Sequence, residues 1–205
     1  MNTAGTKPSL ILASASPRRR ELLDQIGVGY RVVISEIDES VLAGEKPGDY
    51  VCRVAREKVL DVMQREGPGA PVLGADTAVV VKGRILGKPA DRAQAIDMLE
   101  TLSGRTHEVW SAVALVLPTG RILEQLNVTR VTFSELPRAW IEAYCDSGDP
   151  MDKAGAYGVQ GMAAQKISQL EGSYSGVMGL PLHETSEILS EAGLLNHFES
   201  VSSSK

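Results

Sequence analysis

Few arrangements accommodate the run from Pro71 to Val81, PVLGADTAVVV, which is apolar except at Gly74, Asp76 and Thr77. It reads as a core strand, and Lys82-Gly83 reads as the hairpin turn that returns it through Arg84 to Leu86. Asp76 is then a carboxylate inside the core, a placement tolerated when the group is paired, metal-bound or put to chemical use. Gly74 leaves room for another backbone or a ligand to approach that strand closely.

A second segment, LILASASPRRRELL from Leu10 to Leu23, joins a short buried strand to a helix. Pro17 suits the first helical position, which makes Ser16 the N-cap and puts Arg18, Arg19 and Arg20 in the first turn. Cations there oppose the helix dipole, and an anion would offset them. Free backbone N–H groups, the Ser14 and Ser16 hydroxyls and the guanidinium groups make a phosphate-binding site, with a solvated basic turn beside Glu21 and Asp24 as the alternative. A helix expected from about Asp49 to Arg65 has an apolar face of Val51, Val54, Ala55, Val59 and Val62, and Lys58 lies in the middle of it. Lys58 either snorkels to the edge of the core or reaches a cleft where an anion waits.

The rest of the chain reads as an α/β protein with parallel and antiparallel strands. Tyr30 to Ser35 forms a strand, followed by an acidic loop with Glu36, Asp38 and Glu39. Such a loop is a solvated turn or a source of oxygen ligands for Mg²⁺ or Mn²⁺, and the spacing alone favours the first. A helix over Asp91 to Leu102 precedes a hairpin of two long strands, Thr106 to Leu117 and Arg121 to Phe133, then a short helix over Leu136 to Tyr144. Ala163 to Leu170 is a further strand, and Gly179-Leu180-Pro181 opens a last helix ending near Gly193. In DKAGAYGVQG the glycines 155, 158 and 161 match neither a dinucleotide fingerprint nor a P-loop, and they read as a loop packed close to something. Gln160 there offers a donor and an acceptor, suited to a nucleobase edge or to an ordinary loop amide.

At 205 residues with 43% hydrophobic content, one domain over residues 9–195 is expected, with an N-terminal extension (1–8) and a disordered tail (196–205). A net charge of −5 argues against a general nucleic-acid binder, and no apolar span is long enough for a membrane. Cys52 and Cys145 read as packing residues in a reduced cytoplasmic compartment. His107, His183 and His197 lack the spacing of a zinc site.

Cations for phosphates, with carboxylates for metal and water, point to a phosphoanhydride hydrolase. In chain order SASPRRRELL, AREK, GADT, GKP, DKAGAYGVQG and GLPL resemble the Maf family of nucleoside triphosphate pyrophosphatases, over about Leu10 to Leu189. The resemblance implies an α/β fold related to inosine-triphosphate pyrophosphatases: an elongated mixed sheet flanked by helices, with two lobes around a deep cleft. It implies cleavage of a nucleoside triphosphate to the monophosphate and pyrophosphate, a divalent cation (Mg or Mn) and a homodimer. By motif, Ser14, Arg18, Arg19, Lys58 and Lys88 would bind substrate, and Asp76 would accept the proton of the attacking water. Glu39 and Asp76 would face the metal, with Glu36 or Asp38 as alternatives to Glu39. Arg18, Thr77 and Gln160 match the subgroup acting on dTTP and UTP, whereas a subgroup acting on 7-methyl-GTP has tryptophan, glutamine and glutamate there. A nucleotide-sensing regulatory protein linked to septum formation is the rival reading.

Overall fold

The computed structural model describes residues 10–195; the expected extension (1–8) and tail (196–205) lie outside the described residues. The described chain builds one seven-stranded mixed sheet. Its strands are β1 (Ile11–Leu12), β2 (Arg31–Val32), β3 (Val72–Val81), β4 (Arg84–Leu86), β5 (Thr106–Val116), β6 (Ile122–Phe133) and β7 (Ile167–Glu171). The order is β2-β1-β3-β5-β6-β7, with β4 also on β3. β1 runs parallel to β2 and β3, and all other pairs are antiparallel.

Helix α2 (Pro47–Glu66) covers one face of the sheet. Pro47 in its first turn, Asp49 near its N-terminus and Arg65 in its last turn suit the geometry and the dipole. Its buried Val51, Ala55, Val59 and Val62 pack with Ile11, Val72 and Ala78. They do so closely because of Gly74: a Cβ there would lie 2.7 Å from Val59 Cγ1 and 3.2 Å from the Ala55 carbonyl oxygen. The expected close approach at Gly74 is therefore that of α2. Gly74→Ala should push α2 off β3 and cost about 1–3 kcal/mol, read by urea unfolding, with turnover falling because Lys58 rides on the same helix.

The opposite face carries two apolar cores. One joins Leu73 and Ala75 of β3 and Val113 and Leu115 of β5 to α1 (Pro17–Gln25) and α6 (Leu182–Glu191). The other joins Val79, Val81 and Val109 to α3 (Arg92–Leu102) and α4 (Arg138–Asp146). Between them sit Thr77 and Ser111, which are register partners on β3 and β5. This polar pair marks the boundary between the two lobes.

Two expectations needed correction, and one element was missed. Tyr30 to Ser35 contributes only Arg31 and Val32 as strand, both exposed at the sheet edge, so the β-branched run had no core to fill. The strand expected over Ala163 to Leu170 starts at Ile167, after a 3₁₀ segment over Met162–Lys166. A short helix, α5 (Tyr174–Met178), was not anticipated; Ser173 caps it by accepting from the Gly176 N–H at 3.0 Å.

Candidate active site

Along β3, β1 reaches only Val72 and Leu73 and β4 only Val79 to Val81, both on the edge that β5 does not occupy. Residues 74–78 therefore have no strand partner on that edge, and a cleft of about 960 Å³ opens beside it. Asp76 and Thr77 point to opposite faces of the sheet, yet both line this cleft. So do Ser14, Arg18, Arg19, Glu39, Lys58, Lys88 and Gln160, which brings every residue expected from sequence to one place.

On the α2 face, Lys58 is buried and lies between two carboxylates, 2.8 Å from Asp76 Oδ1 and 3.0 Å from Glu39 Oε1. Of the two expectations for the lysine inside the apolar stripe, the second holds: Lys58 reaches the cleft, and the anions that meet it there are Asp76 and Glu39. Asp76 is 5% exposed, and its Oδ2 is buried with no hydrogen-bond partner. Burial raises the Asp76 pKa above the ordinary carboxylate value, against the pull of Lys58 and Arg19 and with help from Glu39. Its proton affinity is thus raised, and one oxygen is left unengaged.

Of the carboxylates in the acidic loop, only Glu39 lines the cleft. Glu36 pairs with Arg65, and Asp38 accepts from the Ser40 N–H and hydroxyl. Two residues not singled out from sequence hold this loop on α2. The Tyr50 hydroxyl donates to the Glu39 carbonyl at 3.0 Å, and Arg53 Nη2 donates to the Ser40 carbonyl at 3.0 Å. Tyr50 precedes Lys58 by two helical turns and shares its face, a signal the sequence did contain.

At the strand-to-helix turn, Arg19 Nε donates to the Gly179 carbonyl at 2.8 Å and Nη1 donates to Ser14 Oγ at 3.0 Å. The Ser16 N–H also donates to Ser14 Oγ, at 3.2 Å. With two donors on its oxygen, Ser14 keeps its own O–H free to donate to an anion. Ser16 occupies the N-cap position without a side-chain capping bond. Arg18 crosses to the Gly-rich loop and meets Asp152 at 3.4 Å, and Lys153 in turn holds Asp152 and Asp149. Lys88 is exposed, with no ion-pair partner among the described residues. Arg20 is exposed at the surface.

The Gly-rich loop packs tightly, as its composition suggested. Gly155 has φ 67°, and a Cβ there would meet the Val79 side chain at 2.9 Å. Its N–H donates to the Gly87 carbonyl at 3.0 Å, tying this loop to the one that carries Lys88. Tyr157 is anchored by His107, whose Nε2 lies 2.7 Å from the hydroxyl, and by an edge contact with Phe133. Burial lowers the His107 pKa to about 4, so the ring is neutral at physiological pH. Gln160 lies exposed beyond this anchor.

A cleft lined by hydroxyl and guanidinium donors together with a half-satisfied buried carboxylate gives this α/β protein a place suited to an anion with a water beside it. The chain belongs to the Maf family: the model described as Maf-like protein matches residues 9–192. Among curated relatives, the dTTP/UTP pyrophosphatase of Bordetella avium is 51% identical over 195 residues, covering 91% of this chain and 96% of that one. The dTTP/UTP pyrophosphatase of Colwellia psychrerythraea is 48% identical over 199 residues, covering 95% and 93%. Among solved structures, a HAM1 protein from Coxiella burnetii is 20% identical, covers 89% of this chain and 98% of its own, and superposes with a TM-score of 0.48. No helix among the described residues is long and apolar enough to cross a membrane.

Proposed function

We propose that this protein hydrolyses dTTP and UTP to the nucleoside monophosphate and pyrophosphate. The carrying observation is the juxtaposition in one cleft of phosphate-matching donors with Asp76, whose Oδ2 is unpartnered and whose proton affinity is raised. The names of relatives about half identical over nearly their whole length support the choice of substrates.

In this reading Ser14, Arg18, Arg19 and Lys88 hold the triphosphate, with Arg18 exchanging Asp152 for a phosphate. Asp76 Oδ2 takes a proton from water as the water oxygen bonds to the α-phosphorus. The bond to the bridging oxygen then breaks, and pyrophosphate leaves with the electron pair. Lys58 and Arg19 favour the ionised form of Asp76 against its burial, and the ionised form is the one that can accept a proton. Glu39 would hold a hard divalent cation, Mg²⁺ or Mn²⁺, with Asp76 facing the ion while its Oδ2 stays free for the proton, since such ions take one or two protein carboxylates and complete their shell with phosphate and water. When bound, that ion supplies neutralisation of the phosphate charge. The two free cysteines are in keeping with a cytoplasmic setting.

The test is a panel of dTTP, UTP, CTP, GTP and 7-methyl-GTP with Mg²⁺, with pyrophosphate and orthophosphate assayed separately. Pyrophosphate release from dTTP and UTP is expected. Orthophosphate as the product, or a preference for 7-methyl-GTP, would sink the reading, and binding without turnover would favour the sensing role.

A further inference from the structure

The polar pair at the lobe boundary has a fixed direction. Ser111 is wholly buried on β5, and its hydroxyl lies 2.7 Å from the Gly176 carbonyl of α5. A carbonyl can only accept, so Ser111 spends its one proton there. Ser111 Oγ also lies 3.0 Å from Thr77 Oγ1, and that contact is a hydrogen bond only if Thr77 is the donor. Thr77 therefore spends its proton as well. What remains on Thr77, at the wall of the cleft, is a pair of acceptor lone pairs.

The 2.7 Å contact holds this direction: were Ser111 to donate to Thr77 instead, its oxygen and the Gly176 carbonyl would face each other as two acceptors. Gly176 is held by the Ser173 cap, and its carbonyl also receives the Gly179 N–H at 3.0 Å. The register of β3 and β5 sets Thr77 opposite Ser111, and the nine residue pairs of that ladder fix it. Ser14 has the opposite polarity: two donors occupy its oxygen, and its proton is free. The cleft thus presents a hydroxyl donor at the helix N-terminus, suited to phosphate oxygens, and a hydroxyl acceptor on β3.

We infer that Ser111 is a positioning residue that fixes Thr77 as a hydrogen-bond acceptor, and that this selects a pyrimidine presenting an N–H, the N3–H of uracil or thymine, over cytosine. The inference rests on the dTTP/UTP reading and deepens it. Cytosine has an unprotonated N3, whose lone pair would face those of Thr77. A site built around one buried hydrogen bond rejects a ligand that cannot make it far more strongly than an apolar pocket rejects a change of shape. Negative selection here needs no added bulk, only a hydroxyl that cannot turn.

The experiment compares kcat/KM for UTP with that for CTP in the wild type, Ser111→Ala, Thr77→Val and the double variant. Ser111→Ala frees the Thr77 proton to face N3 of cytosine, and the UTP-to-CTP ratio should fall about tenfold or more, largely through better use of CTP. Thr77→Val should also lower the ratio, through poorer use of UTP. Because Ser111 acts through Thr77, the double variant should match Thr77→Val instead of multiplying the two effects. A buried serine that merely supported the fold would lower both substrates together and leave the ratio where it was. An unchanged ratio in Ser111→Ala, or multiplied effects in the double variant, overturns the inference while leaving the pyrophosphatase reading intact. Should Ser111→Ala fail to fold, an unchanged ratio in Thr77→Val overturns it equally. Absence of dTTP and UTP turnover in the wild type overturns the functional reading itself, a result distinct from the others.

Discussion

Replacing Asp76 by asparagine should lower kcat for dTTP and UTP by about 10²–10⁴-fold, the usual range for a lost general base, while nucleotide binding stays within a few-fold. The amide is nearly isosteric, and its oxygen can still accept from Lys58, which lies 2.8 Å from Asp76 Oδ1 in the native protein. What changes is the other position, where the unpartnered Oδ2 is replaced by an NH₂ group that cannot accept a proton. Single-turnover kinetics and calorimetric titration with a non-hydrolysable nucleotide separate the two effects. A variant retaining about a tenth of wild-type kcat or more would remove Asp76 from the role of base.

Lys58→Met should act through the same carboxylate but leave a different signature. Lys58 is the largest influence holding the Asp76 pKa down against burial, so its loss lets that pKa climb further. The acid limb of kcat/KM should move to higher pH, and the rate deficit should be greatest at acid pH. Stability follows the same equilibrium. A carboxyl whose folded pKa lies above its unfolded one binds protons more tightly when folded. Its stabilising contribution is present below the unfolded value and is lost as pH rises through the folded one. The variant's deficit should therefore approach about 3–5 kcal/mol at alkaline pH, the cost of stranding one half of a buried pair, and shrink toward acid pH as Asp76 protonates. Urea unfolding at pH 5 and pH 8 checks the sign, and a deficit that grew toward acid pH would contradict it.

Much of the site was legible because its parts violate local rules. Asp76 stands in an apolar run and Lys58 in an apolar stripe, and each anomaly pointed inward without naming its partner. Gly74 announced a close approach, and only the packed helix shows that the Ala55 carbonyl fills it. That Lys58 serves Asp76 and Glu39 first was hidden, because it depends on an acidic loop that lacks regular structure and is pinned by Tyr50 and Arg53. The open edge of β3 was hidden for a different reason. Nothing within Pro71 to Val81 tells where the neighbouring strands stop, and the gap exists because β1 and β4 are two and three residues long. The polarity of Thr77 was equally unreadable, since it needs a register between strands and a carbonyl from a five-residue helix that carries little helical signal. Tyr30 to Ser35 failed the other way: β-branched residues promised a longer strand than the exposed sheet edge supports.

Asp76 and Thr77 are neighbours in the chain but belong to opposite faces of one strand, each with its own supporting layer. A change at position 77 is felt by β5 and α5, whereas a change at position 76 is felt by α2. On the roles proposed for these two residues, evolution or a designer could rewrite which base is accepted by working on one layer while the bond-breaking apparatus in the other is left alone. The strand would then act as a partition that lets substrate range drift without risking the reaction.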